Sequence, residues 1–182
     1  MTTKIQRKEH SLGLTNEQIV AEFRTALEDN KQCYQPSEIE ELVNIHAKSV
    51  TDNYMVYDET AKVSSIKQGD ISLYGTETSY YKAVKDTING LKLTNDRNLQ
   101  DGTAITGDHK VVALPDSNLT IKVGMFVPKD NVTNGRQYSC KMIHSDKPFL
   151  ITHREHGNVA VPAGDYLSFV QINPKTHSRV LD

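Results

Sequence analysis

The chain has 182 residues, 21 basic and 23 acidic side chains and a net charge of -2, which fits one domain or a domain with an appendage. At 37% hydrophobic residues it can bury a core, which excludes global disorder. No apolar run approaches the roughly 18 residues that span a bilayer, and Met1 to His10 lacks the apolar stretch of a signal peptide; the expected location is the cytoplasm.

His10 belongs to a mobile basic tail with Lys4, Arg7 and Lys8. A helix follows. Thr15 can cap it, Gln18 completes a capping box and Leu14 can staple onto Ile19, while Ile19, Val20, Phe23, Ala26 and Leu27 recur on one apolar stripe. After Pro36, Ser37 and Glu40 form a second capping box, and Ile39, Leu42, Val43, His46, Ala47 and Val50 share a face. The pair reads as a helical hairpin. It cannot bury both apolar faces in itself, so it must dock on the following domain or on a partner. Residues 11 to 60 carry ten acids against three bases, a balance that repels nucleic acid.

From about Lys62 the pattern turns strand-like, beginning with Val63 to Tyr74. Tyr80, Tyr81, Val84 and Ile88 mark an inserted helix that Gly90 would stop, and past Asp101 the pattern is purely β. Leu119–Val127 and Arg136–Ile143 alternate in polarity around Asn134-Gly135 and predict a hairpin. Further strands are expected at Phe149–Thr152, Val159–Val161 and Tyr166–Ile172. The predicted class is α+β: an acidic N-terminal helical hairpin over residues 1–60, then a mainly antiparallel β sandwich or partly open barrel with one inserted helix over 61–182.

Chemistry points to two short stretches. Thr152-His-Arg-Glu-His-Gly157 gathers two imidazoles, a carboxylate and a guanidinium in a break between apolar strands. On a helical turn His153 and His156 would face one side and could share a metal ion or divide acid and base roles; on an extended chain they point to opposite faces. The spacing is not that of H-E-x-x-H zinc enzymes, and a plain polar turn closed by Gly157 is the competing reading. In Thr106-Gly-Asp-His109 a carboxylate adjoins an imidazole, which either orients the ring or closes an Asx turn. A functional reading gains force if folding brings His109 to His153 or His156. The candidate catalytic set is then His109, His153, Glu155 and His156, and the candidate metal set is His109, His153 and His156, with a divalent ion as cofactor. His46 reads as a packed, hydrogen-bonded ring, and His144 and His177 as lone surface histidines. Cys33 and Cys140 have neither zinc nor disulfide spacing and read as reduced thiols. No Walker motif or nucleophile elbow is present.

Gln68-Gly69-Asp70-Ile71, Asp101 to His109, Thr152 to Gly157 and Pro162-Ala-Gly-Asp-Tyr166, in that order, resemble a group of small uncharacterised bacterial and phage proteins with Q-G-D-I, T-G-H-x-H, T-H-x-E-H-G and P-x-G-x-Y motifs. The likeness covers about residues 66 to 182. It implies a shared fold and a candidate histidine site, a phage or mobile-element origin, and no particular reaction. Two departures stand out: Thr106-Gly-Asp-His109 offers one imidazole instead of two, and Gln171-Ile-Asn-Pro174 replaces an expected Q-R-E-Y.

Three functions follow from these residues. The first is a non-enzymatic interaction or structural protein whose acidic hairpin binds a protein partner, with a homo-oligomer as a further expectation. The second is a histidine- or metal-dependent hydrolase of a phosphodiester or nucleotide. The third is a sponge that holds a small charged ligand on the same imidazoles and Arg154.

Overall fold

The capping box expected at Thr15 forms: its Oγ1 accepts from the Gln18 amide at 3.2 Å, and the Gln18 side chain accepts from the Thr15 amide at 2.8 Å. Helix α1 (Asn16–Glu28) then buries Ile19, Phe23, Ala26 and Leu27, as the stripe predicts. This computed structural model describes residues 15–50, 71–94, 102–105, 109–127, 137–153 and 157–170, together with the backbone of three strands at 7–9, 55–57 and 65–68. The staple at Leu14 lies outside the described residues.

Helix α2 (Pro36–Ser49) starts earlier than its expected capping box. Proline has no amide hydrogen to lose and its fixed φ suits the first helical position, so Pro36 begins the helix and Glu38, not Glu40, reaches back to the Gln35 amide at 2.8 Å. Glu40 is thereby released to pair with Arg24 of α1 through both guanidinium nitrogens. The pair is exposed and pushes the Arg24 pKa up and that of Glu40 down through their hydrogen bond. The buried face is Ile39, Leu42, Val43 and His46; Ala47 is exposed, and Ile45 packs in its stead.

The N-terminal stretch expected as a mobile tail contributes β1 (Arg7–Glu9), paired antiparallel with β2 (Met55–Tyr57). The Val63–Tyr74 stretch resolves into two antiparallel strands, β3 (Ser65–Gln68) and β4 (Ile71–Gly75). Helix α3 (Ser79–Val84) is capped by Thr78 and runs into a 3-10 turn at Lys85–Thr87. It ends before Gly90, whose positive φ of 69° instead lies within β5 (Asn89–Leu93), where the pairing register shifts. Then come β6 (Thr103–Ala104), β7 (Lys110–Ala113), β8 (Leu119–Phe126), β9 (Tyr138–Ser145), β10 (Phe149–Thr152), β11 (Val159–Val161) and β12 (Gly164–Val170). The Asn134-Gly135 connection lies outside the described residues, but β8 and β9 pair antiparallel over eight residues each, as expected.

Every described pairing is antiparallel. Six strands form one sheet in the order β3-β4-β12-β9-β8-β5, and four form another in the order β11-β10-β7-β6. Alternation along the strands divides their side chains among three cores. Between the sheets lie Ile71, Leu73, Val111, Ala113, Ile121, Ile143, Phe149, Ile151 and their neighbours. On the outer face of the smaller sheet, Val112, Leu114, Leu150 and Ala160 meet Phe23, Leu27, Leu42 and Val43 of the hairpin. On the outer face of the larger, Tyr81 and Val84 of α3 meet Phe126, Cys140, Leu167 and Phe169. The result is an open sandwich with a helical layer on each side, and the apolar face of α1 and α2 is used within the chain.

The described ends of the strands fall into two sets. Leu114 to Asn118, Asp146 to Pro148 and Pro162 to Ala163 carry the chain from one sheet to the other, all at one end of the sandwich. The antiparallel registers place Gln68 and Ile71, Ile105 and His109, Phe126 and Tyr138, Thr152 and Gly157, and Val170 at the opposite end.

Candidate active site

At that opposite end β7 and β10 bring two of the singled-out histidines together. Thr152 pairs with Lys110, so the next step outward places His153 beside His109. Their ring centres are 4.6 Å apart with a 50° tilt. Both share strand parity with Val111, Ala113, Phe149 and Ile151, which line the inter-sheet core, and both are buried, at 0% and 3% exposure. The His109 carbonyl accepts from the Ile105 amide at 3.0 Å, which ties β6 to the same row.

Glu155, His156, Arg154 and Asp108 lie outside the described residues, as do His10 and His177. Among the described residues no group of three His, Cys, Asp or Glu could hold a metal ion. Gly157, which follows the second motif, has a φ of 90°, a conformation that favours glycine.

Asn158 fastens this connection to the hairpin. Its Nδ2 donates to Ser49 Oγ at 2.5 Å and to His46 Nδ1 at 3.1 Å, and the Ser49 hydroxyl donates to the His46 carbonyl at 3.0 Å. With Nδ1 accepting, this network assigns the His46 ring proton to Nε2. The ring stacks on Phe23 at 3.9 Å. Burial pushes its pKa down to about 4, against a hydrogen bond with the Ile19 backbone that raises it. His46 is thus the packed, hydrogen-bonded ring its place on the stripe implies.

His144 is at the surface as expected, but it is not alone: its Nδ1 lies 2.7 Å from Asp165 Oδ1 across the β9–β12 ladder. Cys33 and Cys140 lie in the two outer cores and are not joined by a disulfide, and burial pushes Cys140 up to about 11, so it stays a thiol at neutral pH.

Three polar residues of this region had no motif to announce them. Asn158 is one. Lys141 Nζ donates to the Ile105 carbonyl at 2.7 Å, and Thr103 is buried on β6. A lysine between Cys140 and Met142 in an apolar strand was the available signal, but its meaning depends on which face turns inward. No helix among the described residues is long and apolar enough to cross a membrane. No protein-family model, curated protein or solved structure matches the chain.

Proposed function

We propose that His109 and His153 form the functional centre of this protein and that it acts on a small ligand there as a hydrolase by general acid–base chemistry. The observation that carries this reading is their convergence: two imidazoles more than 40 positions apart in sequence meet, buried, at matching positions of adjacent strands. One ring can take a proton while its neighbour delivers one, a division of labour open to paired imidazoles. The reading extends to Glu155 as activator of water and to His156 as a third imidazole, both close to His153 in the chain.

A second reading has one observation in its favour. Two imidazoles on one divalent ion, each nitrogen at about 2.1 Å, place their ring centres roughly 4.6 Å apart at a right angle and about 5.3 Å apart at the tetrahedral angle, and the observed 4.6 Å suits the first. The interaction reading keeps an open groove of about 390 Å³ at the turn of the hairpin, beside Glu28, Lys31, Tyr34 and Glu40. It loses its apolar motive, because the hairpin's buried stripe already packs on the four-stranded sheet. A phage or mobile-element origin rests on the order of the motifs alone.

The test compares the native protein with a His109→Ala/His153→Ala variant, by native mass spectrometry and by turnover of a chromogenic phosphodiester with and without divalent metal. Loss in the variant of both turnover and any bound ligand or metal is expected. Turnover and bound mass identical in the two proteins would end the reading.

A further inference from the structure

The hairpin hides its apolar stripe, but another part of the surface does not. Among the described residues, the large hydrophobic side chains left exposed are Tyr80, Leu91, Leu93, Met125 and Val127. All of them lie in α3, in β5 or at the end of β8, one corner of the six-stranded sheet. Leu93 is 59% exposed, and every residue of β5 faces solvent. Exposed leucines scattered singly are ordinary, whereas a gathered group marks an interaction site.

β5 is also an edge. It closes the order β3-β4-β12-β9-β8-β5 and, among the described residues, pairs with β8 alone. Just past the strand the Thr94 amide donates to the Ile121 carbonyl at 2.8 Å. Hydrogen-bonded positions therefore fall on Thr94 and Lys92, and the amide and carbonyl of Leu93 between them point away from β8. Open backbone groups of this kind are a template for another strand. The edge is also held close to its neighbour. A Cβ on Gly124 of β8 would stand 2.6 Å from Ile88 Cγ2 and 3.0 Å from both the Asn89 carbonyl oxygen and Leu91 Cδ2, a clash that glycine avoids.

We propose that the β5 edge is a docking site for an extended acidic segment of another protein, which adds to the sheet as a further strand. Charge decides between this occupant and a second copy of the chain. Among the described residues of β5, its paired stretch of β8 and the turn before it, three bases, Lys85, Lys92 and Lys122, stand against one acid, Asp86. None of the three ammonium groups has an ion pair or hydrogen bond. Two copies joined along β5 would bring these charges together, and its five residues a side fall short of the roughly 20–30 that a stable interface uses. An added peptide strand needs less, because main-chain bonds supply affinity and alternate side chains supply specificity. Its acidic residues would lie beside Lys92, and its apolar ones beside Leu91 and Leu93 on the other face. A lysine on an edge commonly repels neighbouring strands; this one repels basic strands and admits acidic ones.

The test uses the full chain and a fluorescein-labelled nine-residue peptide that alternates glutamate with valine, followed by fluorescence anisotropy, beside the same design with lysine for glutamate. Saturable binding of the acidic peptide, weakened by salt, is expected, with little binding of the basic one. Lys92→Glu should reverse that preference. Leu93→Pro removes an amide that makes no bond to β8, and it should weaken binding about tenfold or more, the loss of one main-chain bond together with the block placed on the edge. In the native protein the Leu93 amide signal should shift in nitrogen-15 NMR as the acidic peptide is added, a measurement independent of any variant. Equal binding of the two peptides, no binding of either at millimolar concentration, or binding that Leu93→Pro leaves unchanged would overturn the proposal. A native dimer in sedimentation velocity that Leu93→Asp turns into a monomer would overturn it too, by assigning the edge to a second copy.

Discussion

The two ends of the sandwich are built from the same ten strands but treat their polar groups differently. At the crossover end, polar side chains close the turns. Asp146 accepts from the Asn118 amide at 2.7 Å and from its side chain at 3.1 Å, Ser145 Oγ donates to the Lys147 carbonyl, Lys147 Nζ donates to the Pro115 carbonyl, and Tyr166 Oη donates to the Pro162 carbonyl at 2.7 Å. Ser117 Oγ is the exception. Toward the other end the polar side chains lie further inside: two buried imidazoles, a half-buried ammonium and, among the described residues, the unpartnered hydroxyls of Thr103 and Tyr138. The first pattern is what stability asks of a turn-rich end. The second spends stability, and proteins tolerate that where a ligand is bound.

The largest expected effect belongs to the crossover end. Phe149 is wholly buried there and meets Tyr166 edge-on at 5.7 Å; Phe149→Ala should lower unfolding free energy by about 3–5 kcal/mol in urea titration. A loss below about 1 kcal/mol would show that this end does not anchor the fold.

Next comes acid, acting through the hairpin's grip on Asn158. The folded chain holds His46 neutral down to about pH 4, whereas a free histidine takes its proton near 6.5. The unfolded chain therefore binds the proton first. The stability is fully present above pH 6.5 and lost as pH falls toward 4, by up to about 3 kcal/mol. His46→Gln should flatten that limb of the stability–pH curve; an unchanged limb would assign it to other groups.

A smaller loss, about 1 kcal/mol, is expected for Asp146→Ala, which removes the acceptor of two bonds to Asn118. Smallest of all is Thr103→Val. With no bond to lose, thermal denaturation should show no loss, or a gain of a few tenths of a kcal/mol. A loss like that of Asp146→Ala would erase the contrast between the two ends.

Local grammar was legible in the sequence. The capping box at Thr15, the stripe of α1 and the limits of β10 and β11 follow from spacing within a few residues. Pro36 and Gly90 depart from expectation for local reasons too: a helix can start on the proline itself, and a left-handed glycine can serve a shifted strand register as well as a helix end. The meeting of His109 with His153 was of another kind. It depends on which strands pair and in what register, and a one-residue slip would turn every side chain of β10 to the other face. Lys141 was hidden for the same reason. With α3 on one side of β9 and the second sheet on the other, both faces of that strand are covered, and alternation does not say which one carries the site.

All the described passages between the sheets are at one end. The two sheets are therefore joined like the arms of tweezers. Near the joint the chain itself fixes their spacing; at the tips, among the described residues, spacing is left to side chains such as Lys141 resting on Ile105. A ligand clasped between the tips would brace arms that the backbone leaves free to part.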